Sequence, residues 1–302
     1  MAGRSASTHD GAMTVDVEDY FQVAAFAQRV RPQDWDSYPC RVERNVDRIL
    51  GMFADGGVSA TFFTLGWIAE RYPAVVRQIV GAGHELASHG YEHIKVHSQS
   101  PDAFRRDIRR TKILLEDVSG QRIKGYRAAS FSIDQRSLWA FDILAEEGYD
   151  YSSSVYPIRH DHYGMPDASR FAFRPSDRHR LIELPISTLN LLNRNLPSGG
   201  GGYFRLLPYS FSRWALRRIV EKDRQPVIFY FHPWEIDPDQ PRFDGVSLRS
   251  RFRHYVNLGT MERRLRSVLR DFSWDRMDRV FLSTDTGEEC LATPQIAFKS
   301  IA

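Results

Sequence analysis

Cysteine is scarce in this chain. Its 302 residues include only Cys40 and Cys290, far apart and outside any shared motif. That excludes a disulfide framework. The pair allows one bridge at most, and two unrelated thiols is the simpler reading. Long apolar runs are also missing. No stretch approaches the roughly 18 consecutive apolar residues of a membrane span. The small, polar start from Met1 to Ala12 has no apolar core of a secretory signal. A cytoplasmic protein without an integral membrane segment is therefore expected. Nor does one sign of charge dominate. The 41 Lys and Arg offset 38 Asp and Glu to leave +3, and no basic run interleaves with aromatics, so no nucleic-acid partner is expected. There is no internal repeat. The glycine run Gly199 to Gly202 lacks the following Lys-Ser/Thr of a phosphate loop, which speaks against phosphoryl transfer.

What is present is an ordinary globular composition, 42% hydrophobic, at a length for one large α/β domain or two small ones. Thr14-Val15-Asp16-Val17 reads as a strand, and Met13 before it as a plausible start, leaving residues 1–12 as a flexible extension or tag remnant. The spacing of Val42, Val46, Ile49, Leu50 and Phe53 predicts a helix over 41–53, stopped by Gly56-Gly57. Residues 60–65 read as a buried strand, 74–80 as a helix and 85–88 as the next strand. Pro101 opens an amphipathic helix through Leu115. Residues 125–128 and 149–152 read as strand ends on either side of a helix at 138–147. Such alternation implies a parallel sheet or barrel, with chemistry collecting where strands end. After Ser154 the pattern loosens. The four-glycine run in this looser stretch reads as a mobile active-site loop, and it is followed by a helix at 214–221 and a strongly apolar strand at 227–231.

Two histidines four residues apart, His89 and His93, follow the 85–88 strand. Such spacing aims both rings at one point on a helix or tight loop. The acidic cluster Asp16-Val17-Glu18-Asp19 ends the first strand. Two imidazoles and one carboxylate are a common set for a catalytic divalent metal with a position open to water. Asp16 and Glu18 share a side of an extended chain, because side chains alternate. Arg127, Asp150 and His232 stand at three other predicted strand ends.

This order of features over residues 13–235 resembles the NodB-like polysaccharide deacetylases, carbohydrate esterase family 4. The motif from Gly83 to His93, His84-Glu85-Leu86-Ala87-Ser88-His89-Gly90-Tyr91-Glu92-His93 included, is specific to that family. Tyr20-Phe21, Glu92, the run from His232 to Asp237 and the tail Arg253 to Leu258 look like a subgroup from exosortase and exopolysaccharide gene clusters with a D-x-D first motif. The resemblance implies a distorted (β/α) barrel of about seven parallel strands. It would form one domain over 13–285, with a subgroup extension over about 236–285 and a tail at 286–302. It implies a divalent ion, most simply Zn²⁺, held by His89, His93 and Glu18, with Asp19 the open alternative. Asp16 would be the general base, Arg127 would hold it ionised, His232 would be the general acid, and Asp150 would tune that histidine. Tyr20, Tyr91 and Trp234, with Phe21 and Trp67, are candidates for stacking on a sugar. Two departures stand out: Glu18 replaces the family's usual Asp ligand, and Ala129 stands where Pro is usual.

The implied reaction is N-deacetylation of N-acetylhexosamine units in a polysaccharide or oligosaccharide. Two other readings keep the fold: an amidohydrolase opening a cyclic imide or ureide, and a non-catalytic carbohydrate-binding protein.

Overall fold

The computed structural model describes residues 9–160 and 164–282. Cys290, the tail 286–302 and most of the N-terminal extension lie outside them. The central strand β1, Gly11–Val17, is buried along its whole length. Such continuous burial is expected of a parallel strand covered on both faces. Around it lie β2 (Thr61–Thr64), β3 (Glu85–Ser88), β4 (Gly125–Tyr126), β5 (Tyr151–Ser152) and β6 (Ile182–Glu183). A two-stranded hairpin follows, β7 (Thr188–Leu191) with β8 (Arg194–Pro197), and then β9 (Val227–Phe231). Seven parallel strands run in the order β9-β1-β2-β3-β4-β5-β6 and curl into a half-barrel. A short strand, β10 (Trp274–Asp275), pairs with Gly11 and Ala12, on the edge of β1 where β2 begins three residues later.

Helices fill the crossovers. The first, α1 (Val42–Gly56), buries Val42, Val46, Ile49, Met52 and Phe53 at helical spacing and stops at Gly57, whose positive φ lets its N–H and that of Val58 turn back onto the last carbonyls. It packs with a later helix, α2 (Leu258–Asp271), which buries Leu258, Met261, Leu265 and Val268 in the same core. Each such side chain contributes about 1.5–3 kcal/mol on burial. No helix among the described residues is long and apolar enough to cross a membrane.

Three expectations change. Strand β1 starts at Gly11, not after residue 12, because Gly11 lies against the backbone of Val227: a Cβ there would come within 2.2 Å of the Val227 carbonyl oxygen. The glycine run is packed, not a free loop. Tyr230 donates its N–H to the Gly199 carbonyl at 2.7 Å, and Gly201 opens a helix ending at Leu206. Finally, the 101–115 helix continues to Ser119 and the 214–221 helix begins at Tyr209.

Candidate metal centre

Asp16 lies near the end of β1 and Glu18 directly follows the strand, and His89 leaves the end of the neighbouring-but-one strand β3. The histidine pair does not sit on a helix. Gly90 and His93 take positive φ values of 74° and 54° and turn the loop back. For a histidine that is a strained conformation, held here by its surroundings. The two rings come to 5.3 Å between centroids. His89 Nδ1 meets the Arg127 carbonyl at 2.8 Å, which leaves Nε2 free to face inward. His93 Nε2 lies 3.0 Å from Glu18 Oε2.

One donor atom each from Glu18, His89 and His93 lies within 4.8 Å of the others. Burial drives both histidines down to about 4, so they carry lone pairs at neutral pH. Glu18 Oε2 is buried and makes no well-formed hydrogen bond, its 3.0 Å approach to His93 Nε2 included. A buried carboxylate oxygen left in that state is costly unless something cationic completes it. The donor set therefore fits a divalent ion, and two imidazoles with one carboxylate suit zinc among others.

Asp16 and Arg127 stand beside this cluster. Arg127 is wholly buried and its Nη1 donates to Asp16 Oδ1 at 2.6 Å and to Thr14 Oγ1 at 2.8 Å. Burial opposes ionisation of Asp16. Arg127, with His89 and His232, outweighs it and holds the carboxyl below its usual range. His232 Nε2 lies 3.5 Å from Glu18 Oε1 and 3.9 Å from Asp16 Oδ2, facing the same space. Its other nitrogen, Nδ1, is 2.6 Å from Glu235 Oε1. Burial works against the imidazolium, but Glu18, Glu235 and Asp16 raise it to about 9. Arg205, itself buried, closes the chain: Nε donates to Glu235 Oε2 at 2.6 Å, and its Nη atoms donate to the carbonyls of Arg253, His254 and Val256.

Several predicted residues go elsewhere. Asp150 is not near His232. It precedes β5, at the opposite end of the sheet, and pairs with Arg122 at 2.7 Å. Glu235 stands at His232 instead. Asp19 faces away from the metal donors and accepts from the N–H groups of Arg41 and Val42 at the start of α1 and from the Cys40 thiol. That is a helix-capping role. Tyr20 is fully buried against Phe21 and Phe243. Tyr91 is buried with its hydroxyl on Glu70 and Arg110 over its ring. Trp67 is core. Trp234 touches the site but offers no open face. It is stacked between His232 and His254, and its Nε1 donates to Glu18 Oε1 at 3.3 Å. A groove of about 810 Å³ opens beside His93, lined in part by Phe21, Trp35, Ile94, Tyr203 and Phe252. Of these, Phe252 is 58% exposed. Neither Tyr203 nor Phe252 lies in a motif that would mark it in the sequence.

Residues 33–151 match the family model for polysaccharide deacetylase, and residues 153–282 match a domain of unknown function, DUF3473. A peptidoglycan-N-acetylglucosamine deacetylase of Bacillus cereus is 33% identical over 94 residues, 31% of this chain and 34% of its own length. A chitooligosaccharide deacetylase of Rhizobium leguminosarum is 30% identical over 95 residues, 30% of this chain and 44% of its own length. The chain thus spans a third to under a half of these curated relatives. A crystal structure from Mycobacterium smegmatis, classed with the polysaccharide deacetylases, superposes with a TM-score of 0.54 at 20% identity, covering 89% of this chain and 86% of the other. That likeness establishes the shared fold.

Proposed function

We propose that this member of the polysaccharide deacetylase family is a metal-dependent hydrolase that removes acetyl groups from N-acetylhexosamine units of a polysaccharide or oligosaccharide. The observation that carries the reading is the meeting, at one end of the sheet, of the Glu18, His89 and His93 donors with an ionised Asp16 and a protonated His232.

Glu18, His89 and His93 would hold a divalent ion, which supplies Lewis acidity at the acyl oxygen and acidifies water. Asp16 is the base: Oδ2 is the oxygen not committed to Arg127, and it takes the proton of the attacking water. The water oxygen bonds to the acetyl carbon. His232 Nε2 gives its proton to the amide nitrogen as the carbon–nitrogen bond breaks, releasing acetate and a free amine. Base and acid must hold opposite protonation states together. Arg127 keeps Asp16 charged from one side, while Glu235 keeps His232 charged from the other.

The subgroup likeness of the His232 to Asp237 and Arg253 to Leu258 segments supports an exopolysaccharide as the substrate. A non-catalytic sugar-binding module has no need of an acid and a base charged side by side, which favours the enzymatic reading. Metal analysis of the purified protein, with acetate release measured on N-acetylglucosamine oligomers, tests the proposal. Metal-loaded protein that releases no acetate but opens a cyclic imide or ureide would overturn it in favour of the other amidohydrolase chemistry.

A further inference from the structure

One buried carboxylate takes no part in the mechanism above. Glu183, on β6, is fully buried. Its Oε1 accepts from two consecutive backbone N–H groups, those of Ser154 and Val155, each at 2.8 Å. The serine run that it gathers is the same one that holds Arg127. Arg127 Nε donates to the Ser153 carbonyl at 3.2 Å, and Nη2 donates to Ser153 Oγ at 3.0 Å. One residue on, Ser154 Oγ accepts from the N–H of Ala128 at 2.9 Å and from Ser152 Oγ at 2.8 Å. Both neighbours in the chain, Arg127 and Ala128, are therefore fixed by the segment that Glu183 clamps. On the guanidinium's far side lie Thr14 and Asp16.

A guanidinium has five donors in a rigid planar fork. Four of the contacts above use it, two to Ser153 and two to Thr14 and Asp16, so the acceptors of Ser153 fix one end of the fork while the other end meets Asp16. Ser153 in turn faces Arg127 with both carbonyl and hydroxyl, its own N–H donating to the Tyr126 carbonyl at 2.9 Å and the two following N–H groups drawn to one carboxylate oxygen of Glu183.

We propose that Glu183 is a positioning residue for the Arg127–Asp16 pair, acting through the serine run Ser152-Ser153-Ser154 on the strand between them. The proposal rests on Asp16 being the reactive base and names the residue that aims its partner. Burial pushes Glu183 up to about 7, so a glutamine, which offers the same acceptor oxygen, is a close replacement.

The test uses the full chain loaded with metal and three variants. Glu183→Ala removes the acceptor and is expected to lower kcat by about 10²-fold, the usual cost of a displacement near 1 Å, with KM and metal content unchanged. Glu183→Gln keeps the acceptor and should return most of the rate. A second readout does not depend on turnover: solvent exchange of the Arg127 Nε–H, followed by ¹⁵N NMR, should accelerate in Glu183→Ala and slow again in Glu183→Gln. A role confined to general packing would lower the melting temperature without moving that exchange. Should Glu183→Ala fail to fold, Ser153→Ala removes only one guanidinium acceptor and should accelerate the same exchange with a smaller loss of kcat. Unchanged Arg127 exchange in the folded variants, or Glu183→Gln as impaired as Glu183→Ala, would overturn the proposal. A wild-type protein that releases no acetate would instead overturn the functional reading, while the exchange measurement would still decide the role of Glu183.

Discussion

Replacing Glu235 with glutamine isolates the charge behind His232. The shape is nearly kept, and the amide oxygen can still accept from His232 Nδ1 at the 2.6 Å contact. What is lost is one buried negative charge. An opposite charge in direct contact favours an ionised group by roughly 1–3 pKa units, each worth about 1.36 kcal/mol. The basic limb of the kcat/KM profile, which reports the protonated acid, should therefore move toward acid by roughly 1–3 units. At a pH one unit below the wild-type limb, about nine-tenths of His232 is protonated, and a two-unit shift cuts this to about one-tenth. The variant should thus be about tenfold slower there and nearly unimpaired two units lower still. Arg205 also loses its ion partner. Breaking a buried pair costs about 3–5 kcal/mol, and since Arg205 keeps three carbonyl acceptors, we expect the lower end. Acetate release across pH gives the limb, and calorimetry gives the stability. A melting temperature that falls while the basic limb stays fixed would refute the argument that Glu235 sets the charge of His232.

Four further outcomes follow from the same geometry. His89→Ala should reduce metal affinity by more than the roughly 10–100-fold typical of an outer partner, and full metal occupancy in a purified sample would remove His89 from the donor set. Asp16→Asn should keep the metal and lose roughly 10²–10⁴-fold in rate, whereas Glu18→Gln should release the metal; atomic absorption separates the two. Gly200→Ala places a Cβ 2.0 Å from the Tyr230 carbonyl oxygen at a φ of +116° and should destabilise by at least the about 1–3 kcal/mol of an overpacked site, read from chemical denaturation. His84, His89 and His93 are buried neutral, with values lowered to about 4 from 6.5. Unfolding then takes up protons at these three groups between those values, so their contribution to the metal-free protein's stability is lost as pH falls from 6.5 toward 4, while Glu85 and Glu183, raised to about 7, and Asp107, raised to about 6, act in the opposite sense. His232, raised to about 9, adds no slope there and instead gives stability that fades as pH rises from 6.5 through 9. Chelator-treated wild-type and His89→Ala proteins whose urea midpoints change alike between pH 7 and pH 5 would refute the first of these slopes.

The parallel sheet was legible because its strands are short apolar runs ending in polar residues, and the 85–88 strand falls where its pattern puts it. His89 and His93 were legible because four residues of local chain fix their approach. Asp150 was misplaced for a related reason. A strand has two ends, and an acid written beside it can precede or follow; Asp150 precedes β5, whereas Ser153 follows it toward the site. Glu235 carried a usable signal. It stands three residues after His232 across a Pro turn, the spacing of a reciprocal cap. Arg205 carried none, since its contact with Glu235 bridges 30 residues of separate elements. The aromatics mark the limit of composition. Tyr20, Tyr91 and Trp234 are hydrophobic enough to be core and polar enough to be contact surface, and packing alone decided the matter.

The central strand has a consequence for how the chain is made. Thr14 donates its hydroxyl to the Phe229 carbonyl, a separation of 215 residues, and β10 joins the same strand later still. At a synthesis rate of about 5–20 residues per second, β1 leaves the ribosome roughly 10–40 s before its partner on that edge exists. For that interval a seven-residue strand, buried along its whole length in the finished fold, has an open edge, the feature most prone to wrong pairing. Native topology of this kind, in which the first strand waits for the last, folds slowly and late. Asp16 lies in β1 and Glu18 directly follows it, so both carboxylates reach their places only once nearly the whole chain has been synthesised.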